Sequence, residues 1–159
     1  MERTSKSMQR VKDVLDRLGL ELQVVEFAES TRTSQEAANM IGCQVGQIAK
    51  TLLFKTKQSA RPVCVIASGI NRVDEKKIQQ LEGEKIEKAN ADEVLKFTGY
   101  VIGGVAPVGF QTGIQPYIDE DLFQYEEIWA AAGTPHSVFK LTPEVLVQIT
   151  GGQVVQVKK

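Results

Sequence analysis

Hydrophobic positions along the chain change their period many times, and each change marks an element. Val11, Val14, Leu15 and Leu18 recur at helical spacing and predict an amphipathic helix to about Leu18, ended by Gly19. Leu20 to Phe27 alternates loosely and reads as a strand. Thr33-Ser34-Gln35-Glu36 is a capping box opening a short helix with an apolar stripe of Ala37, Ala38, Met40 and Ile41, closed by Gly42. Gln47 to Phe54 and Pro62 to Ser68 are apolar runs joined by the polar turn Gln58 to Arg61, which predicts an antiparallel hairpin. Asp74 caps a helix carrying Ile78 and Leu81, ended by Gly83. Lys85 to Ala89 reads as a short exposed strand. Asn90 and Glu93 form a second capping box, over Val94, Leu95 and Phe97, with Gly99 after them.

From Tyr100 an apolar strand is expected to run into Gly103 and Gly104. Pro116 to Asp119, Glu127 to Ala132 and Ser137 to Leu141 follow as strands, the last two a hairpin across the Gly133-Thr134-Pro135-His136 turn. Thr142-Pro143 opens a helix with Val145, Leu146 and Ile149 on its core face. Gly151-Gly152 ends it, and Val154 to Val157 is a last strand. No repeat or linker interrupts residues 1–159. Irregular alternation with several hairpins predicts one α/β (α+β) domain built on a mixed sheet or small barrel, not a doubly wound sheet.

Two stretches break the bland pattern. Lys50 shares the two-residue period of Ile48, Leu52 and Phe54, so a cation stands on an apolar strand face. It either snorkels to water at a strand end or lines a polar cleft to meet an anionic or carbonyl group. Gly103-Gly104 ahead of Pro107 either bends a strand or bares backbone N–H groups to a ligand. The residues alone leave both choices open.

Composition narrows the partners. Hydrophobic content of 42% and charged content of 25% are ordinary for a globular protein. A net charge of −1 means that a phosphate-rich partner needs a local basic patch. No apolar run approaches the ~20 residues that span a bilayer. Met1 to Arg10 is polar and has no signal-peptide core, so no membrane association and a cytoplasmic location are expected. Cys43, Cys64 and the single histidine do not make a zinc site, and no nucleophile elbow is present. No metal or cofactor is expected.

Three segments then carry a resemblance. Gln47-Ile48-Ala49-Lys50-Thr51-Leu52-Leu53-Phe54, Gly103-Gly104-Val105-Ala106-Pro107 and Ala132-Gly133-Thr134-Pro135-His136 resemble, in order, the lysine strand, the Gly-x-x-x-Pro loop and the late Gly-x-x-His turn of the YbaK/EbsC family. That family is related to the editing insertion of bacterial prolyl-tRNA synthetases. The likeness runs from about Ala37 to the C-terminal helix. It implies a barrel-like mixed sheet surrounded by helices, and hydrolysis in trans of an amino acid wrongly esterified to tRNA. A small amino acid such as Cys, Ala or Ser is implied, with tRNA-Pro as a carrier. Such editing answers a physical limit, since one small group discriminates substrates by only ~1–3 kcal/mol.

The resemblance also implies roles. Lys50 would meet the terminal adenosine phosphate or the ester. The backbone N–H groups around Gly103, Gly104, Val105 and Ala106, in the loop that Pro107 closes, would hold the ester carbonyl as charge develops. His136 and Gly133 would bound the amino-acid pocket. Thr31, Arg72 and Asp74 would border the cleft, although Asp74 is also explained as a helix cap and Arg72 as a solvated charge. Lys55, Lys57, Arg61, Arg72, Lys76 and Lys77 cluster along the sequence and would track acceptor-stem phosphates if they gathered beside Lys50. The implied partners are aminoacyl-tRNA and an aminoacyl-tRNA synthetase. The alternatives are a non-catalytic module of the same fold that binds tRNA, a nucleotide or a protein, and a hydrolase of small esters or thioesters.

Overall fold

A computed structural model describes residues 6–20, 22–110 and 113–159. Residues 1–5 of the polar N-terminal stretch, and Glu21 inside the expected Leu20 to Phe27 strand, lie outside the described residues. The elements in chain order are α1 (Lys6–Arg17), β1 (Val24–Glu26), α2 (Ser34–Ile41), β2 (Ile48–Thr56), β3 (Pro62–Ser68), α3 (Glu75–Glu82), β4 (Ile86–Lys88), α4 (Ala91–Thr98), β5 (Tyr117–Asp119), β6 (Ile128–Ala131), β7 (Ser137–Leu141), α5 (Pro143–Thr150) and β8 (Gln153–Val155). Single 3-10 turns occupy Val45–Gln47 and Glu120–Gln124.

The short helices are defined at both ends by side-chain chemistry. Thr33 and Asn90 form complete capping boxes with Glu36 and Glu93, and Asp74 and Thr142 cap α3 and α5. Gly42, Gly83, Gly99 and Gly151 take left-handed backbone as each of these helices stops. No helix among the described residues is long and apolar enough to cross a membrane.

The strands form one mixed sheet in the order β1-β7-β6-β2-β3-β5-β8, with β4 also on β2. The expected β2/β3 hairpin is antiparallel and in continuous register from Ala49 opposite Ser68 to Lys55 opposite Pro62. The other edge of β2 is divided. β6 runs parallel to it only at Ile48 and Ala49, and β4 pairs antiparallel only from Phe54 to Thr56. Among the described residues no strand pairs with residues 50–52 on that side, the Leu53 carbonyl accepts from the Ala89 N–H just beyond β4, and Lys50 stands at the split.

The two faces of the hairpin bury different cores. Ala49, Leu53, Cys64 and Ile66 join Val11 and Leu15 of α1, Val94 of α4 and Leu146 of α5. On the reverse face Phe54, Val63, Val65 and Ala67 pack on Ile78, Ile86 and Val157, while Ile48 packs on Ala37 and Ala38 of α2. Lys50 falls between these two smaller clusters. Cys64 is the buried small residue its neighbours predict, and burial drives its thiol pKa far up.

Several expectations shift. The Leu20 to Phe27 strand contracts to β1, the last strand moves to Gln153–Val155, and Ile86 of the supposedly exposed β4 is buried. The strand expected from Tyr100 does not form. Tyr100 is instead pinned as a single buried side chain. Its hydroxyl donates to the Val108 carbonyl at 2.5 Å, and the Arg10 guanidinium lies 4.4 Å above its ring. Val101 and Ile102 are left exposed, and the Gly104 N–H turns back to the Val101 carbonyl.

Candidate functional site

Where β2 loses its neighbour, a cavity of about 910 Å³ opens. Residues 48–54 of β2 form its floor. Thr31 to Ser34 and Ala37, leading into α2, make one wall, and Gly103 and Val105 make another. Leu53, Val94, Ala130 and Val138 give it an apolar side, and Trp129 and Ile102 also face it. Arg72, Val73, Glu75, Lys88 and Lys159 lie along the rest of its lining.

The walls are assembled by close backbone approach. A Cβ on Gly103 would stand 2.5 Å from Arg32 Cγ, so the Arg32 side chain lies directly against this loop. A Cβ on Gly104 would stand 2.6 Å from the carbonyl carbon of Thr134. That gap is too small for any side chain, so the glycine pair lets the loop wedge between the segment before α2 and the residue 133–136 turn. Thr31 ties the same two pieces together. Its N–H and hydroxyl both donate to the Pro135 carbonyl, at 2.6 and 3.1 Å. Gly133 in turn lies against the Ser7 and Met8 backbone of α1.

Lys50 is half-buried in this cavity and makes no ion pair among the described residues. Its pKa is lowered from the ordinary lysine value, first by burial, then by the Arg72 charge, with Lys88 acting the same way and Asp119 opposing. Asp119 is fully buried but committed elsewhere. Its Oδ2 accepts from the Ser68 N–H at 3.0 Å and from Asn71 Nδ2 at 2.8 Å, and its Oδ1 accepts from the Asp121 N–H at 2.9 Å. The Thr51 hydroxyl, next along the floor, is buried without a hydrogen-bond partner among the described residues. The arrangement offers a poorly satisfied ammonium and a glycine-lined backbone around one hollow. It suits an anionic or carbonyl-bearing molecule.

The residues singled out from sequence divide cleanly. Lys50, Gly103, Val105, Thr31 and Arg72 line the cavity. Gly104, Ala106 and Pro107 are buried behind its wall, and Gly133 supports the turn against α1. His136 is outside the lining, with Nδ1 3.1 Å from the Glu29 carbonyl oxygen. Asp74 is outside it too and accepts from the Lys76 N–H as the cap of α3.

The basic cluster read along the sequence does not assemble. Lys55 pairs with Glu93 and Glu87, Arg61 with Glu82 and Glu84, and Lys77 donates to Gln156 and to the Lys158 carbonyl. Of those six cations only Arg72 reaches the cavity. Arg32, Lys88 and Lys159 reach it instead. Lys159 arrives through an antiparallel bridge of Val73 with Lys158, and its N–H donates to the Arg72 carbonyl at 3.2 Å. No linear signal marks that pairing.

Known proteins share this architecture. A family model described as an aminoacyl-tRNA editing domain matches residues 28–149. The structure is similar to a crystal structure of a candidate trans-editing enzyme for prolyl tRNA synthetase, with 43% identity, a TM-score of 0.92, and 99% of each chain covered. The sequence is 30% identical over 135 residues to EbsC of Enterococcus faecalis, named as a candidate Cys-tRNA(Pro)/Cys-tRNA(Cys) deacylase; 83% of this chain and 82% of EbsC are covered. It is also 35% identical over 100 residues to the proline–tRNA ligase of Bacillus licheniformis, a match that covers 62% of this chain and 17% of that enzyme.

Proposed function

The chain belongs to the aminoacyl-tRNA editing domain family, and from that premise we propose that it is a trans-acting deacylase that hydrolyses the ester of a mischarged tRNA. The substrate we propose is a small amino acid, Cys, Ala or Ser, carried on tRNA-Pro. The observation that carries the reading is the placement of the Lys50 ammonium and the Gly103 loop around one cavity. The names of EbsC and of the similar crystal structure support the same chemistry.

The bond is an activated ester on a ribose, so positioning can replace a strong protein nucleophile. In this reading water, positioned by the neighbouring ribose hydroxyl, adds to the ester carbonyl carbon and gives up a proton. Lys50 fixes the ribose and its phosphate and keeps the ester over the loop. The backbone N–H groups of Gly103 and Val105, the two residues of the loop that line the cavity, stabilise the oxyanion, while that of Gly104 already donates to Val101 and takes no part. Collapse of the adduct breaks the acyl–oxygen bond, and the departing ribose oxygen takes up a proton. The apolar side of Leu53, Val94, Val105 and Ala130 receives the amino-acid side chain. His136 bounds the site only from behind the turn, through its hold on Glu29.

The test is a panel of tRNA charged with Cys, Ala or Ser, incubated with wild-type protein and with Lys50→Ala. Ester loss above the spontaneous rate in wild type only, with both proteins folded, is the expected result. Wild-type activity in Lys50→Ala removes the mechanism. Saturable tRNA binding without ester loss identifies a non-catalytic module, and cleavage of free esters but not of aminoacyl-tRNA identifies a small-ester hydrolase.

A further inference from the structure

The cavity wall holds five cationic side chains, Arg32, Lys50, Arg72, Lys88 and Lys159, against one acidic side chain, Glu75. The whole chain has a net charge of −1, so the rest of the molecule is acidic. The charge is thus strongly polarised toward one opening. Among the described residues none of the five makes an ion pair, whereas Lys55, Arg61, Lys140 and Lys158 all do. Four of them, Arg32, Arg72, Lys88 and Lys159, are exposed, and Lys50 is half-buried. They come from five separate places in the chain and from both sides of the β2 split. Mutual repulsion of such a group is tolerated where an anion is to be bound.

We propose that Arg32, Arg72, Lys88 and Lys159 form a phosphate-binding collar that grips the single-stranded 3′ end of tRNA and threads it toward Lys50. The proposal rests on the deacylase reading for the identity of the polyanion. One carboxylate-bearing metabolite would satisfy Lys50 alone. Four further cations around the same mouth fit a linear polyanion with several phosphates in series. Ile102, 46% exposed at the cavity, offers an apolar surface beside the path for a base. The acidic remainder of the surface repels the same polyanion elsewhere, so it is admitted at one place and in one direction. The pinning of residues 157–159 along residues 72–74 makes the last lysine a wall of the site: the Asp74 N–H donates to the Val157 carbonyl at 2.7 Å, and Lys158 pairs with Asp121 at 3.0 Å.

The test is binding of uncharged tRNA, which does not depend on catalysis. Wild type is compared with Arg32→Gln, Arg72→Gln, Lys88→Gln and Lys159→Gln, on intact tRNA and on the same tRNA without its CCA end, over a range of KCl. Lys57→Gln, an exposed lysine outside the cavity lining, is the control. Each collar variant is expected to weaken binding several-fold and to flatten the log–log salt slope by about 0.7 for each phosphate no longer neutralised, while Lys57→Gln leaves both unchanged. Removing the CCA end is expected to weaken wild-type binding and to erase the difference between wild type and the collar variants. Wild-type affinity and slope in the collar variants, an equal loss in Lys57→Gln, or indifference to the CCA end overturns the proposal. A protein that binds through the collar yet leaves every ester intact keeps this inference and loses the deacylase reading.

Discussion

The two ends of the β2/β3 hairpin carry the same kinds of side chain and use them in opposite ways. At the turn end Arg61 and Lys55 are both answered. Arg61 reaches Glu82 at 3.1 Å and Glu84 at 3.2 Å, and Lys55 reaches Glu93 and Glu87. Glu84 also accepts from the Ser59 hydroxyl at 2.7 Å and from the Gln58 and Ser59 N–H groups, and its pKa falls to about 2, chiefly through Ser59. At the open end Lys50 and Arg72 have no such carboxylates among the described residues, and the Arg72 charge disfavours that of Lys50. Ions at one end are answered within the fold. Unsatisfied ions at the other, exposed by the split in the sheet, are left for a ligand.

Removing the half-buried charge erases that difference and has the largest expected effect. Lys50→Ala is expected to lower deacylation by about two to three orders of magnitude, the scale for loss of one electrostatic group in a site. The Lys50 pKa is lowered in the fold, so the protonated form is disfavoured there. That cost is fully present below the folded-state pKa and is relieved as pH rises toward the ordinary lysine value. The substitution should therefore leave stability at neutral pH equal or higher. In the wild type, catalysis above the spontaneous background should fall at a lower pH than an unperturbed lysine would give. Rate–pH profiles and unfolding midpoints check both.

Gly104→Ala comes next. Its Cβ meets main-chain atoms of Thr134, so the loop must move. A loss of about 1–3 kcal/mol in stability is expected from such overpacking, together with a lower kcat measured on the folded fraction. Thr51→Val acts in the other direction at the open end. It removes a buried hydroxyl with no partner among the described residues, and about 1 kcal/mol of added stability is expected from the unfolding midpoint. The smallest effect belongs to the satisfied end. Glu84→Gln should leave deacylation unchanged and lower the unfolding midpoint slightly at neutral pH. The difference from wild type is fully present above the ordinary glutamate pKa and disappears as pH falls through about 2.

Much of the scaffold is legible in the sequence because its signals are local. Thr33 with Glu36 and Asn90 with Glu93 declare their helices by a three-residue spacing, and the polar turn between two apolar runs declares the hairpin. Lys50 on an apolar strand face is legible for the same reason. What escapes is set by distant partners. Tyr100 looks like the start of a strand until Arg10 and Val108, far away in sequence or across a turn, claim its ring and hydroxyl. Lys55 and Arg61 look available for nucleic acid until α3, β4, α4 and Glu84 bring carboxylates to them. Arg32 and Lys159 acquire meaning only when the Gly103 backbone and the Val73 bridge bring them to the cavity.

In the deacylase reading, catalysis depends above all on the ammonium at the split. Lys50→Met keeps the unbranched apolar stem and removes the ammonium, so single-turnover ester loss on mischarged tRNA at saturating protein isolates that group from binding and folding. Loss at the spontaneous rate is expected, while the collar still retains the tRNA. Ester loss at the wild-type rate in this variant would contradict the role given to Lys50.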